Sequence, residues 1–168
     1  WDGNEVWLVT GGGALFAAFP DVYATSFSGF YLAFILLLVA LIFRAVAIEF
    51  RSKRPSKRWR QTWDVSFSVS SIVSSLLMGV ALGNIVLGIP ITTEGEYMGG
   101  LMGLLRPYPL FVGLTTVALF AMHGSIYVVM KTEGELQEQV RGWIPRLIGI
   151  FVTGYVITTV LTLIFIPH

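Results

Sequence analysis

The chain contains no cysteine, which excludes disulfide frameworks, thiolate metal sites and cysteine nucleophiles together. Its two histidines, His123 and His168, leave little material for a metal centre. Charge is also scarce: 12% of the 168 residues are Asp, Glu, Lys or Arg, against about 25% in soluble domains. No glycine-rich phosphate loop follows a strand pattern, there is no nucleophile elbow, and no Ser, His and Asp set suggests a triad. The chain opens at Trp1 without a basic segment leading into an apolar core and a small-residue cleavage site, so no signal peptide is expected and the sequence reads as a piece of something longer.

Apolar side chains fill the space left by these absences. Hydrophobic residues make up 55% of the chain and the mean hydropathy is +0.75. One small core cannot hold that surplus, and lipid is its natural counterpart. The expected fold is all-α, a polytopic transmembrane helix bundle forming a single transmembrane unit over residues 1–168. Five stretches, at about 5–23, 30–48, 63–89, 108–130 and 144–166, are each close to the ~20 residues that cross a ~30 Å hydrocarbon layer. ATSFSG (24–29) reads as a short connection between the first two. The third span is rich in serine, which can bond back to its own helix or across to a neighbour, so it is expected among other helices. TTEGEYMGGLMGLLRPYP (92–109) reads as a surface-lying or re-entrant connection.

Orientation follows from the basic residues. Arg44, Arg51, Lys53, Arg54, Lys57, Arg58 and Arg60 flank the connection between the second and third spans, Lys131, Arg141 and Arg146 lie between the fourth and fifth, and only Arg106 falls on the other side. This bias predicts that both basic connections are cytoplasmic, that residue 1 begins inside and that residue 168 ends outside. Trp7, Trp59, Trp63 and Trp143 near inner ends and Tyr97 and Tyr108 near an outer end match interfacial aromatic belts. RSKRPSKRWR (51–60) is then a topogenic loop facing anionic membrane lipids rather than a nucleic-acid patch.

Chemistry concentrates at the first span. Asp2 and Glu5 are three apart and share a helix face; solvated, they complement a helix dipole, whereas buried in a bundle they become candidates for carrying protons. Behind them, Gly11, Gly12, Gly13, Ala14 and Ala17 form a small-residue stretch that lets helix backbones approach closely. Arg44 and Glu49 read as snorkelling residues at an inner end. His123 has no second ligand at a matching depth and reads as a packing residue.

The blocks WDGNEVWL and GGALFAAFP, followed by YATSFSGFYLAFILLLVALIFRAVAIEFRSK, RWRQTWD, GVALGNIVLGIP and HGSIYVVMKTEGEL, resemble subunit II of the cytochrome bd-type quinol oxidases, and the likeness covers most of the chain. The resemblance implies a respiratory complex that oxidises ubiquinol or menaquinol, reduces dioxygen to water and takes protons from the cytoplasm. It places heme b and heme d mainly in the partner, subunit I, and gives this chain a supporting and access role, with a small accessory subunit as a further possible partner. It also implies a location in the cytoplasmic (inner) membrane of a bacterium or archaeon. By position, Asp2 matches an aspartate proposed for a proton route and Trp7 a tryptophan beside a dioxygen path. Glu5 stands where members of the family carry glutamate or glutamine. A further helix before WDGN and about three after the last span belong to that pattern, so the fragment alone is expected to be inactive. The alternative from a different class is a small polytopic transporter or channel with Asp2, Glu5 and the serine-rich span lining a solute path. The paired, interrupted helices usual in transporters are not evident.

Overall fold

A computed structural model describes residues 2–89, 92 and 100–166; of Asp2 and Leu101 only the backbone is described. Residues 1 and 168, whose sidedness the charge pattern predicts, lie outside the described residues. Seven α-helices and no strand occur among those described. They are α1 (Asp2–Ala18), α2 (Pro20–Gly29), α3 (Tyr31–Phe50), α4 (Lys57–Leu87), α5 (Leu101–Leu104), α6 (Pro107–Lys131) and α7 (Glu135–Phe165). A single 3-10 turn, Arg51–Lys53, follows α3.

The helices α3, α4, α6 and α7 are long and apolar enough to cross a membrane. At 1.5 Å per residue, the 31 residues of α4 and of α7 each reach roughly 46 Å, beyond the ~30 Å hydrocarbon layer. They form a row in which α3 packs on α4, α4 on α6 and α6 on α7. Consecutive helices run antiparallel, so the α3–α4 and α6–α7 turns, which carry most of the basic residues, lie at the same end. Large apolar side chains such as Leu36, Val39, Phe43, Ile150, Val156 and Leu163 remain exposed, as lipid-facing surfaces do.

The tightest approach is the α4–α6 crossing. A methyl group on Gly79 would stand 2.4 Å from Thr116 Oγ1 and 2.7 Å from Gly113 Cα. One on Gly83 would stand 2.7 Å from Pro109 Cα, and one on Gly113 2.9 Å from the Leu76 carbonyl oxygen. Gly79 and Gly83 are four apart on one helix face, the spacing that lets backbones meet. Next to them Asn84 is fully buried and its amide donates to the Val80 and Leu104 carbonyls, both at 2.8 Å, tying α4 to α5. Hydroxyls join α6 to α7: Tyr108 with Thr162 at 2.8 Å and Thr115 with Thr158 at 3.2 Å.

The N-terminal segment departs from the expected single span at 5–23. It breaks at Phe19, whose φ of −139° and ψ of 66° leave the helical region, and restarts with Pro20 in the first turn of α2. Proline lacks the amide hydrogen a continuing helix needs and pushes the preceding residue out of the helical region. ATSFSG, expected as a connection, is the body of α2. A ladder of rings explains this: Phe16, Tyr23, Phe27 and Phe34 follow one another with centroids 5.1, 4.1 and 4.5 Å apart, and such contacts outweigh the weak helix propensity of serine and threonine.

At the basic end, Arg51 forms a two-pronged ion pair with Asp64 and the Trp59 indole donates to the Phe50 carbonyl at 2.8 Å. Together they lock the end of α3 against the start of α4.

Candidate functional site

The first turn of α1 stands at the basic end of the row. The Asp2 backbone opens the helix; its side chain, which the sequence makes a candidate for carrying protons, lies outside the described residues. Glu5 is half-buried. It borders a cavity of about 120 Å³ whose walls are Asn4, Glu5 and Leu8 from α1, Leu41 and Arg44 from α3, and Met78 from α4. Farther along, α1 and α3 diverge around an apolar groove of about 610 Å³. Gly11, Gly12, Gly13 and Phe16 line it on one side, Phe34 and Leu38 on the other, and Tyr23 and Phe27 close its end. Because Leu8 faces Leu41 at one end and Phe16 faces Phe34 at the other, the two helices run antiparallel across the groove.

The small-residue stretch of α1 therefore faces open space within this chain. A methyl group on Gly11, Gly12 or Gly13 would meet no atom within 4 Å, and Ala14 and Ala17 are exposed. The close helix contact lies instead at Gly79, Gly83 and Gly113. Trp7 is 75% exposed on the outside of α1. Asp2, Glu5 and Trp7 lie on one short helix segment; of the two whose side chains are described, Glu5 lines the cavity and Trp7 does not.

Arg44 lies beside the same cavity. Its side chain is half-buried, with Nε enclosed and without a hydrogen-bond partner, and its guanidinium carbon sits 5.8 Å from the centroid of the Phe67 ring on α4, on the side of the basic end, the direction in which a snorkelling arginine extends. Arg44 stands alone among apolar neighbours seven residues before Arg51, which places it roughly 10 Å up the helix from that interfacial charge.

The family model for cytochrome bd terminal oxidase subunit II matches residues 1–168. The chain belongs to the cytochrome bd terminal oxidase subunit II family. It is 46% identical over 145 residues to the cytochrome bd-I ubiquinol oxidase subunit 2 of Escherichia coli K12, covering 84% of this chain and 38% of that one. It is 39% identical over 163 residues to a probable cytochrome oxidase subunit 2 of Haemophilus influenzae Rd, covering 92% and 43%. With the cytochrome bd ubiquinol oxidase subunit 2 of Bacillus subtilis 168 it shares 36% over 150 residues, 89% of this chain and 44% of the relative. The chain thus spans about two fifths of the length of these relatives. Membership in the subunit II family, with four long apolar helices, makes it a multi-pass membrane protein and favours the oxidase-subunit reading over that of a small transporter.

A cytochrome bd family implies haem in the complex. His123 is exposed on α6, and no group of three His, Cys, Asp or Glu side chains among the described residues could hold a metal ion. What the described residues bring together at this end of α1 is Glu5 with the small cavity it borders, and the apolar groove beyond it.

Proposed function

We propose that this chain forms part of the second subunit of a membrane-bound terminal oxidase that oxidises ubiquinol or menaquinol, reduces dioxygen to water and draws its protons from the cytoplasm. The observation that carries the reading is the family match over residues 1–168, beside an acid-bearing helix end that opens on a small cavity lined by Asn4, Glu5 and Arg44 as well as apolar side chains. In this reading the chain brings no redox centre of its own. Subunit I carries heme b and heme d, which supply electron transfer and oxygen chemistry, and a small accessory subunit and membrane lipids complete the assembly.

The α3–α4–α6–α7 row is the scaffold. The start of α1 is the proton inlet, with Asp2 first and Glu5 one turn deeper, since carboxylates near the bundle interior, replenished from the cytoplasm, can hand protons inward without exposing the path to the outer side. Trp7 flanks an apolar route for dioxygen, and the small residues Gly11, Gly12, Gly13, Ala14 and Ala17 admit a close helix neighbour in the whole complex. The complex sits in the cytoplasmic (inner) membrane of a prokaryote, with the basic turns inside.

The test is made on the full-length protein in its native complex. Purification through this subunit is expected to bring along a haem-bearing partner with quinol-dependent oxygen consumption. Asp2→Asn is expected to slow turnover while the haem absorption spectrum is unchanged; normal turnover in that variant removes the inlet from the reading.

A further inference from the structure

The far end of the row, away from α1, carries a second large groove, of about 730 Å³, between α6 and α7. Near the outer ends of the two helices the gap is closed. Tyr108 meets Thr162, Thr115 meets Thr158, and a methyl group on Gly154 would stand 3.0 Å from Thr115 Oγ1. Toward the basic end the groove is open, and a methyl group on Gly149 would meet nothing within 4 Å. Phe111 and Ala118 of α6 and Ile150 and Ile157 of α7 stand on its walls, and Arg146 is the one charged residue among them. The Thr115 hydroxyl is taken up by the Phe111 carbonyl and by Thr158. The groove therefore offers chiefly apolar surface along its length and a guanidinium at one end.

Its length and depth match one leaflet of a bilayer. Arg146 is the last charged residue of α7, and the run from Leu147 to Phe165 carries none. At 1.5 Å per residue that run covers roughly 28 Å, close to the ~30 Å hydrocarbon layer, so Arg146 stands at the boundary of the layer on the basic side. Trp143, 49% exposed one turn earlier, is at the level where indoles gather. From Arg146 to Ile157 the groove follows α7 for roughly 16 Å, about half of the layer.

The guanidinium has no counterpart within the chain. Arg51–Asp64 is the only ion pair among the described residues. No acid occurs on α6, and the acids of α7, Glu135 and Glu138, lie more than two turns before Arg146, roughly 12 Å or more toward the basic turn. Arginine binds phosphate through paired N–H donors, and basic pockets between membrane helices hold anionic headgroups.

We propose that the α6–α7 groove holds one anionic phospholipid of the leaflet at the basic end, with its phosphate on Arg146 and one acyl chain laid along Ile150 and Ile157 toward Phe111. A headgroup of net negative charge suits the site better than a zwitterionic one, because the latter sets its own cation beside the guanidinium. The lipid site depends on the multi-pass placement of the chain and not on the proton or dioxygen routes.

The test uses the full-length protein in its purified complex, held in phosphatidylcholine nanodiscs doped with one of two probes. These are a phosphatidylglycerol and a phosphatidylcholine, each carrying a photoactivatable diazirine midway along one acyl chain. After illumination the peptides are mapped for adducts. Labelling at the groove by the phosphatidylglycerol probe is expected to exceed that by the phosphatidylcholine probe about fivefold, the effect of one arginine facing an anionic headgroup. Arg146→Gln is expected to erase that preference and Arg146→Lys to keep most of it. Gly149→Phe, which fills the groove with the charge unchanged, is expected to lower labelling there by both probes while adducts on α3 persist. Equal labelling by the two probes in the wild-type complex, or a preference that survives Arg146→Gln, overturns the site. An absence of adducts on this face overturns it too, and shows that a helix of the complete complex covers the groove instead. Where a substitution blocks assembly, the wild-type comparison decides by itself.

Discussion

Substituting Gly83 by alanine tests the packing that positions everything else. The added methyl group would stand 2.7 Å from Pro109 Cα and 3.1 Å from Val112 Cβ, whereas carbon atoms in contact settle at about 3.5–4.0 Å. Rotating a side chain cannot relieve the first of these contacts, because the obstacle is backbone. The two helices must separate by roughly 1 Å, and overpacking of this kind costs about 1–3 kcal/mol. Alanine returns up to about 1 kcal/mol through its better helix propensity, a gain shared by any exposed Gly→Ala change, so relative to such a variant the loss is about 1–3 kcal/mol. Separation also strains the Asn84 bond to the Leu104 carbonyl next door. Thermal unfolding of the detergent-solubilised full-length protein is the assay, with Gly11→Ala as the companion variant, since a methyl group there meets nothing within 4 Å of this chain. A midpoint for Gly83→Ala equal to or above that of Gly11→Ala would refute the α4–α6 crossing as described.

Asn84→Leu removes the donor from the Leu104 carbonyl and overfills a fully buried site, so a loss of about 1–3 kcal/mol and faster proteolysis of the α4–α6 connection are expected; wild-type resistance would count against the tie between α4 and α5. Tyr108→Phe deletes only the hydroxyl that meets Thr162. Interhelical hydrogen bonds in membrane bundles average about 0.6 kcal/mol, so a barely shifted midpoint is expected, and a drop of many degrees would show that the contact does more than join α6 to α7.

Length and hydropathy made the four long helices legible in the sequence, because a run of about twenty apolar residues has few alternatives to spanning lipid. The break at Pro20 was visible as a residue but not as a consequence: proline near the end of an apolar run can close one helix or open the next, and the choice was made by rings as far apart in sequence as Phe16 and Phe34. Small residues at four-residue spacing were equally readable in α1 and in α4, yet spacing does not say which stripe meets a partner within this chain. Gly79 and Gly83 meet one, while Gly11, Gly12 and Gly13 face a groove.

The cavity beside Glu5 has one fixed and one adjustable wall. Arg44 lies on α3, whose inner end is held to α4 by the Arg51–Asp64 pair and by the Trp59 bond to the Phe50 carbonyl, and α4 is in turn locked to α6 by glycines that leave no slack. Each link is short and polar or is backbone against backbone, so the position of Arg44 follows from the scaffold. Glu5 lies on α1, which reaches α3 only through the ring ladder at its far end and the cavity at its near end. The wall that carries Glu5 therefore has fewer ties to the scaffold than the wall that carries Arg44, and α1 is anchored chiefly by the rings at its far end.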